Sequence, residues 1–120
     1  EENPAIMSLH KQIAVEYNAA LLFVTHPVKA VSLPDLNQLA GSAAFGRFSQ
    51  TALWLEYGED RTGDIKTSMG TVSAEYNRVL HILKSRNGIG QGCRIACQFT
   101  RDLSLREIGL IVKKKGATNE

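Results

Sequence analysis

Lys84 and Arg86 stand two residues apart at the end of an apolar run, within LHILKSRNGIGQGCRIACQF over 80–99. Alternate residues of an extended chain point the same way, so a strand ending here carries its two cations as a fork. Such a fork suits phosphate. A guanidinium is planar, always charged and able to grip two oxygens, and an ammonium adds a point charge. A turn dense in glycine (Gly88, Gly90, Gly92) follows, and a second strand returns. Asn87-Gly88 are read as the left-handed positions of that turn. The competing reading is a surface Lys/Arg pair on a hairpin.

The charge around this fork is lopsided. The chain has 120 residues and a net charge of +2. Residues 78–115 carry nine cations against Asp102 and Glu107, a balance of +7, while residues 1–77 carry five cations against nine anions, a balance of −4. A basic carboxy-terminal third fits a polyanionic partner, nucleic acid or nucleotide. Cys93 and Cys97 are the only cysteines. On one strand their Cα atoms lie about 13 Å apart, too far for a disulfide. Two thiols need help to complete a zinc site, and His10, His26 and His81 lack ligand spacing, so no metal site is expected. With no long apolar run and no signal-peptide pattern, the expectation is a soluble, cytoplasmic chain. Its opening, EENPAIM, reads as the interior of a longer protein.

The elements that must position the fork follow in order. Asn3-Pro4 is a helix start, and Ile6, Leu9, Ile13 and Tyr17 recur at helical spacing, which predicts an amphipathic helix packing on a sheet. Asn18 is its expected stop. ALLFVT (20–25) has no polar alternation and reads as a strand covered on both faces, half of a parallel β-α-β unit. His26 then lies beyond the strand's carboxyl end, where open α/β sheets place their ligand crevice. Its bland alternative is a histidine that ends a strand and bonds a neighbour. After a loop with Lys29, Ser42 can cap a short helix bearing Ala44, Phe45 and Phe48 on one face and leaving Arg47 exposed. The segment GSAAFGR (41–47) lacks the Lys and Ser/Thr of a phosphate loop. ALWLEY (52–57) reads as a second buried strand and Gly58–Asn77 as a mobile loop or loose hairpin. Arg78–Lys84 and Cys93–Phe99 form a hairpin, with a last strand at Leu105–Leu110.

The order of these motifs resembles the carboxy-terminal half of the RecA-like motor of hexameric helicases. It is similar to phage primase–helicases, bacterial replicative helicases and related plasmid ATPases, and the likeness runs from Ala5 to Ile108. It implies an α/β fold: part of a RecA-like sheet, with parallel core strands and a carboxy-terminal antiparallel hairpin, flanked by helices. Residues 1–112 would be that portion of the NTPase domain and 113–120 a basic, disordered tail. LLFVTHPVK looks like the family's strand ending in a phosphate sensor, which falls on His26. GSAAFGRFSQTALWLE is similar to the segment that carries an arginine towards the subunit boundary or the DNA channel, here Arg47, and Lys29 lies in the DNA-facing loop. LHILKSRNGIGQG matches the K-x-R-x-G segment whose cations reach a neighbour's nucleotide. Arg86 would be the arginine finger, Lys84 its partner and Gly88 part of the nucleotide site. Phe99 matches an aromatic position against the base, with core packing as its other reading.

The implied activity is the distal half of a nucleic-acid-dependent NTPase motor, a DNA helicase or a related replication or plasmid ATPase. ATP and Mg2+ would be held mainly by a preceding phosphate-loop half and by the neighbouring subunit. Its partners would be single-stranded DNA and further copies in a homo-oligomeric ring, and the fragment alone would be inactive. The alternative is a stand-alone, non-catalytic module that binds single-stranded DNA or a protein.

Overall fold

The computed structural model describes residues 4–27, 34–35, 47 and 49–112. They fall into two compact units divided between Ala52 and Leu53. In the first, helix α1 spans Pro4–Glu16 and begins on a proline, which has no amide hydrogen to lose at that position. It ends where expected: Asn18 takes φ 51°, and Tyr17 N–H still donates to the Ile13 carbonyl at 2.9 Å. Asn3 lies outside the described residues. The expected burial of the helix stripe is not found, because Leu9, Ile13 and Tyr17 are all exposed. The ring of His10 instead meets Phe23 edge-on, with centroids 5.2 Å apart.

Residues 20–25 are not a strand. Leu22 and Val24 are 88% and 90% exposed, so the apolar run marks no doubly covered core strand. The short helix expected around Ala44, Phe45 and Phe48, the Lys29 loop and the 113–120 tail lie outside the described residues, apart from Arg47, which is helical and exposed.

Four strands follow, all in the second unit but for the first two residues of β1: β1 (Thr51–Thr67), β2 (Gly70–Ser85), β3 (Arg94–Phe99) and β4 (Leu105–Ile111). Each neighbours the next, and β4 returns to β1, closing a barrel in the order β1-β2-β3-β4. β2 with β3, β3 with β4, and β4 with β1 pair antiparallel: Arg78 faces Cys97, Phe99 faces Leu105, and Ile65 faces Ile111. A register shift at Ala96/Cys97 bends β3 against β4. Ile65, Tyr76, Val79, Ala96 and Cys97 form the buried core.

This overturns the α/β expectation. Among the described residues there is no parallel-core, RecA-like sheet flanked by helices; they form antiparallel β-structure with α1. Two sequence signals account for the difference. The ALWLEY run alternates between exposed and half-buried positions along the first half of β1 instead of being covered on both faces. Gly58–Asn77 takes the hairpin alternative and not the mobile loop: it is the end of β1, a tight turn over Ser68 and Met69, and the start of β2. Thr67 secures that turn through its hydroxyl, which accepts from Met69 N–H at 3.1 Å and donates to the Gly70 carbonyl at 2.8 Å. The carboxy-terminal hairpin and the last strand stand where the sequence places them.

A tight β3–β4 turn carries the barrel's one backbone anomaly outside glycine. Leu103, 78% exposed, sits at φ 66°. Its N–H donates to Thr100 O at 3.0 Å, and Thr100 N–H donates to Ser104 O at 2.9 Å. Asp102 accepts from the Thr100 hydroxyl and from Ser104 N–H, which holds its carboxyl below the usual carboxylate range. A leucine in the left-handed region costs about 1–2 kcal/mol, a strain that glycine does not share. Leu103→Gly is therefore expected to raise stability by ~0.5–1 kcal/mol, net of the extra freedom it gives the unfolded chain, as read from urea denaturation midpoints. A lower midpoint would mean that the leucine side chain contributes more than its backbone costs.

Candidate functional site

The β2–β3 turn is built from its backbone outward. Ile82 N–H donates to Cys93 O at 3.0 Å, Gly92 N–H to Ile82 O at 2.8 Å, and Cys93 N–H to Gly90 O at 2.9 Å. Ser85, the last residue of β2, receives the Gln91 side chain, its N–H donating to Oε1 at 3.0 Å. The left-handed positions fall at Gly90 (φ 101°) and Gly92 (φ 91°), not at the expected Asn87-Gly88. Gly88 instead packs closely: a Cβ there would meet Ser85 Oγ at 2.9 Å. Lys84 is half-buried near the end of β2, and Arg86 is exposed at the first bend position after it. The fork therefore straddles the end of the strand, one cation on the ladder and the other on the turn.

Phe99 is not at this end of the barrel. Asn77 ties it to β2 like a substitute peptide group, Oδ1 accepting from Phe99 N–H at 2.8 Å and Nδ2 donating to Phe99 O at 3.2 Å. From Asn77 to Lys84 along β2 is roughly 23 Å at ~3.3 Å per residue, so Phe99 and the Lys84–Arg86 turn do not share one pocket. Phe99 instead faces Arg78. That guanidinium lies 5.0 Å from the Phe99 centroid and 4.3 Å from the centroid of Tyr57, and its Nη1 donates to the Asn77 carbonyl at 3.0 Å. Next along β1 and β2, Arg61 lies 4.9 Å from the Tyr76 ring.

These aromatic–arginine contacts were not singled out from the sequence. The available signal was Tyr57 and Arg61 on one side of the Thr67–Gly70 turn and Tyr76 and Arg78 on the other, each pair at even spacing and so on one strand face. Seeing it required recognising the hairpin. His81 was considered only as a metal ligand. Its Nε2 lies 2.7 Å from Glu56 Oε1, an ion pair when the ring is protonated.

His26 lies in the first unit, exposed, its Nδ1 2.9 Å from the Pro27 carbonyl oxygen. Among the described residues, no group of three or more His, Cys, Asp or Glu side chains is placed to hold a metal ion. Nor is any helix among them long and apolar enough to cross a membrane.

Both cysteines are free thiols, Cys97 buried and Cys93 half-buried. Burial, reinforced by the Glu107 carboxylate, pushes the Cys97 thiol above the ordinary 9.0, which disfavours it as a nucleophile. Iodoacetamide under native conditions is expected to label Cys93 first and leave Cys97 unmodified until the barrel unfolds, as peptide mass mapping would report. Equal labelling would mean that the β3 core opens readily. The same shift sets an alkaline limit. Stability from the neutral thiol is complete below pH 9 and is lost as pH rises through the raised native value, because the unfolded chain ionises first.

No protein family, no curated protein and no solved structure was found to match the chain.

Proposed function

We propose that this chain supplies cations in trans to the nucleotide of a nucleic-acid-dependent NTPase. Arg86 acts as the finger on a triphosphate bound by an adjoining protomer of a homo-oligomeric ring, and Lys84 neutralises the same phosphates. The observation that carries this reading is the construction of the β2–β3 turn. An exposed arginine stands on a hairpin whose main chain is pinned across its base by bonds between Ile82, Gly90, Gly92 and Cys93. Positioned charge is most of what phosphoryl transfer asks of a protein, and a turn fixed by main-chain bonds positions charge better than a free loop.

The resemblance of the motif order to hexameric helicases, read from the sequence alone, would further place the phosphate sensor at His26 and single-stranded DNA at Lys29 and Arg47. In this reading the chain's cations match the phosphates of ATP, and Mg2+ is held by the polypeptide that binds the nucleotide. The test is steady-state ATP turnover, with nucleotide binding measured in parallel, in the assembled protein carrying Arg86→Ala. Loss of turnover with binding retained is the expected result, and unchanged turnover rejects the role. A second reading, a non-catalytic module for single-stranded DNA, is favoured by the Tyr57–Arg78–Phe99 stack.

A further inference from the structure

We infer that the outer face of Tyr57 is a stacking site for an unpaired base of a single-stranded nucleic acid. The inference does not depend on Arg86 acting on a nucleotide. Tyr57 is 75% exposed, yet one face of its ring is already covered by the Arg78 guanidinium at 4.3 Å. That guanidinium is held in turn: its Nη1 donates to Asn77 O at 3.0 Å and reaches Gly58 O at 3.5 Å, and it faces Phe99 at 5.0 Å. Ring, guanidinium and ring thus form a row across three strands, anchored at its far end by the amide of Asn77 on the Phe99 backbone.

An exposed tyrosine on a loop loses freedom when a ligand orders it. Tyr57 is on a strand and backed by a planar cation, so that cost is already met in the free barrel. Stacking on such a ring is sequence-tolerant, because every base offers a π-face. The backbone of the ligand needs cations nearby. Arg101 is exposed in the turn directly after Phe99. A base on Tyr57 with its phosphate towards Arg101 combines the two components of single-strand binding, a stacking surface and a cation. A duplex fits poorly, since its bases already stack on one another. The exposed Leu53 and Leu55 precede Tyr57 at alternate positions of β1, so a purely apolar contact with a protein is the rival outcome.

Fluorescence anisotropy with dye-labelled (dT)20 at low salt separates these possibilities, using the full chain and its Tyr57→Ala, Tyr57→Phe and Tyr57→Leu variants. Wild type and Tyr57→Phe should bind alike, while Ala and Leu each weaken binding about tenfold, the range for one stacked base. Duplex of the same length should bind less tightly than the single strand. The Tyr57→Ala loss should be the same in an Arg86→Ala background, so that failure of either site is seen separately. Because Phe and Leu both preserve bulk, their comparison holds even if Tyr57→Ala proves poorly folded. Absence of (dT)20 binding by wild type overturns the proposal. So does full affinity in Tyr57→Leu, which would reassign the surface to apolar contact.

Discussion

Gly109→Val is expected to open the barrel. A Cβ at position 109 would stand 2.5 Å from the Lys66 carbonyl oxygen and 2.7 Å from Ile65 Cγ2. Neither neighbour can move aside cheaply. Lys66 lies in the β1–β4 ladder opposite Leu110, and Ile65 is fully buried at the centre of the core. The pairing of Ile65 with Ile111 and Lys66 with Leu110 is what closes the four strands on themselves. Relief of the clash must therefore separate β1 from β4.

Overpacking of a close-packed core commonly costs about 1–3 kcal/mol, and a backbone clash at a closing seam belongs at or above the top of that range. A domain of this size holds only about 5 kcal/mol in total. Gly109→Ala should consume much of it, and Gly109→Val should leave no cooperative thermal transition by circular dichroism. Gly92→Ala is the control. It has φ 91° but nothing within 4 Å of the added carbon, so it should cost only backbone strain, about 1 kcal/mol. A melting point for Gly109→Val within a few degrees of wild type would mean that the β1–β4 seam contributes little to the fold.

The division between what the sequence discloses and what it conceals follows from which interactions are local. The β2–β3 hairpin was legible because both strands are apolar, flank a short glycine-rich turn and lie within twenty residues of each other. Helix α1 was legible at both ends, from Pro4 and Asn18, because caps are local chemistry. The same local logic misplaced the rest. Apolar runs such as ALLFVT and ALWLEY say that burial is wanted, not which strands will provide it, and reading both as parallel core strands supplied the wrong architecture.

Gly58–Asn77 was underread in the opposite direction. Its acids, arginine and glycines suggested a mobile loop or a loose hairpin, and it is a hairpin, but one whose Ile65 and Tyr76 are core residues. A polar strand is stabilised here by neighbours far along the chain: Asn77 bonds Asp60 and Phe99, and Arg61 covers Tyr76. Gly109, at the barrel's closing seam, carries no local signature at all. The candidate site divided the same way. Lys84 and Arg86 could be read from their spacing, whereas Tyr57 and Arg78 meet only after the hairpin has formed. Phe99, grouped with the fork by the helicase resemblance, belongs with Arg78.

On the proposed in-trans role, Arg86→Ala in the assembled protein is expected to lower ATP turnover by about 10³–10⁵, the range for removal of an arginine supplied from a neighbouring subunit. The loss should appear in kcat and leave nucleotide affinity near the wild-type value, because the finger stabilises charge that develops only in the transition state. Arg86→Lys separates charge from geometry. It keeps the cation but loses the planar fork, so it should recover little of the rate if the guanidinium bridges two phosphate oxygens.

Lys84→Ala should be milder and should also weaken nucleotide binding, since a point charge on the ladder acts on ground state and transition state alike. The turn adds a further discriminator. Its pinning bonds are made by Ile82, Gly90, Gly92 and Cys93 main chain and by the Ser85–Gln91 contact, none of which needs the Arg86 side chain. Thermal melts of Arg86→Ala and wild type, run in parallel with the turnover assay, separate a loss of rate from a loss of fold. If turnover survives while the melt is unchanged, the exposed arginine is a surface residue of an ordinary hairpin and the phosphate reading of this turn is wrong.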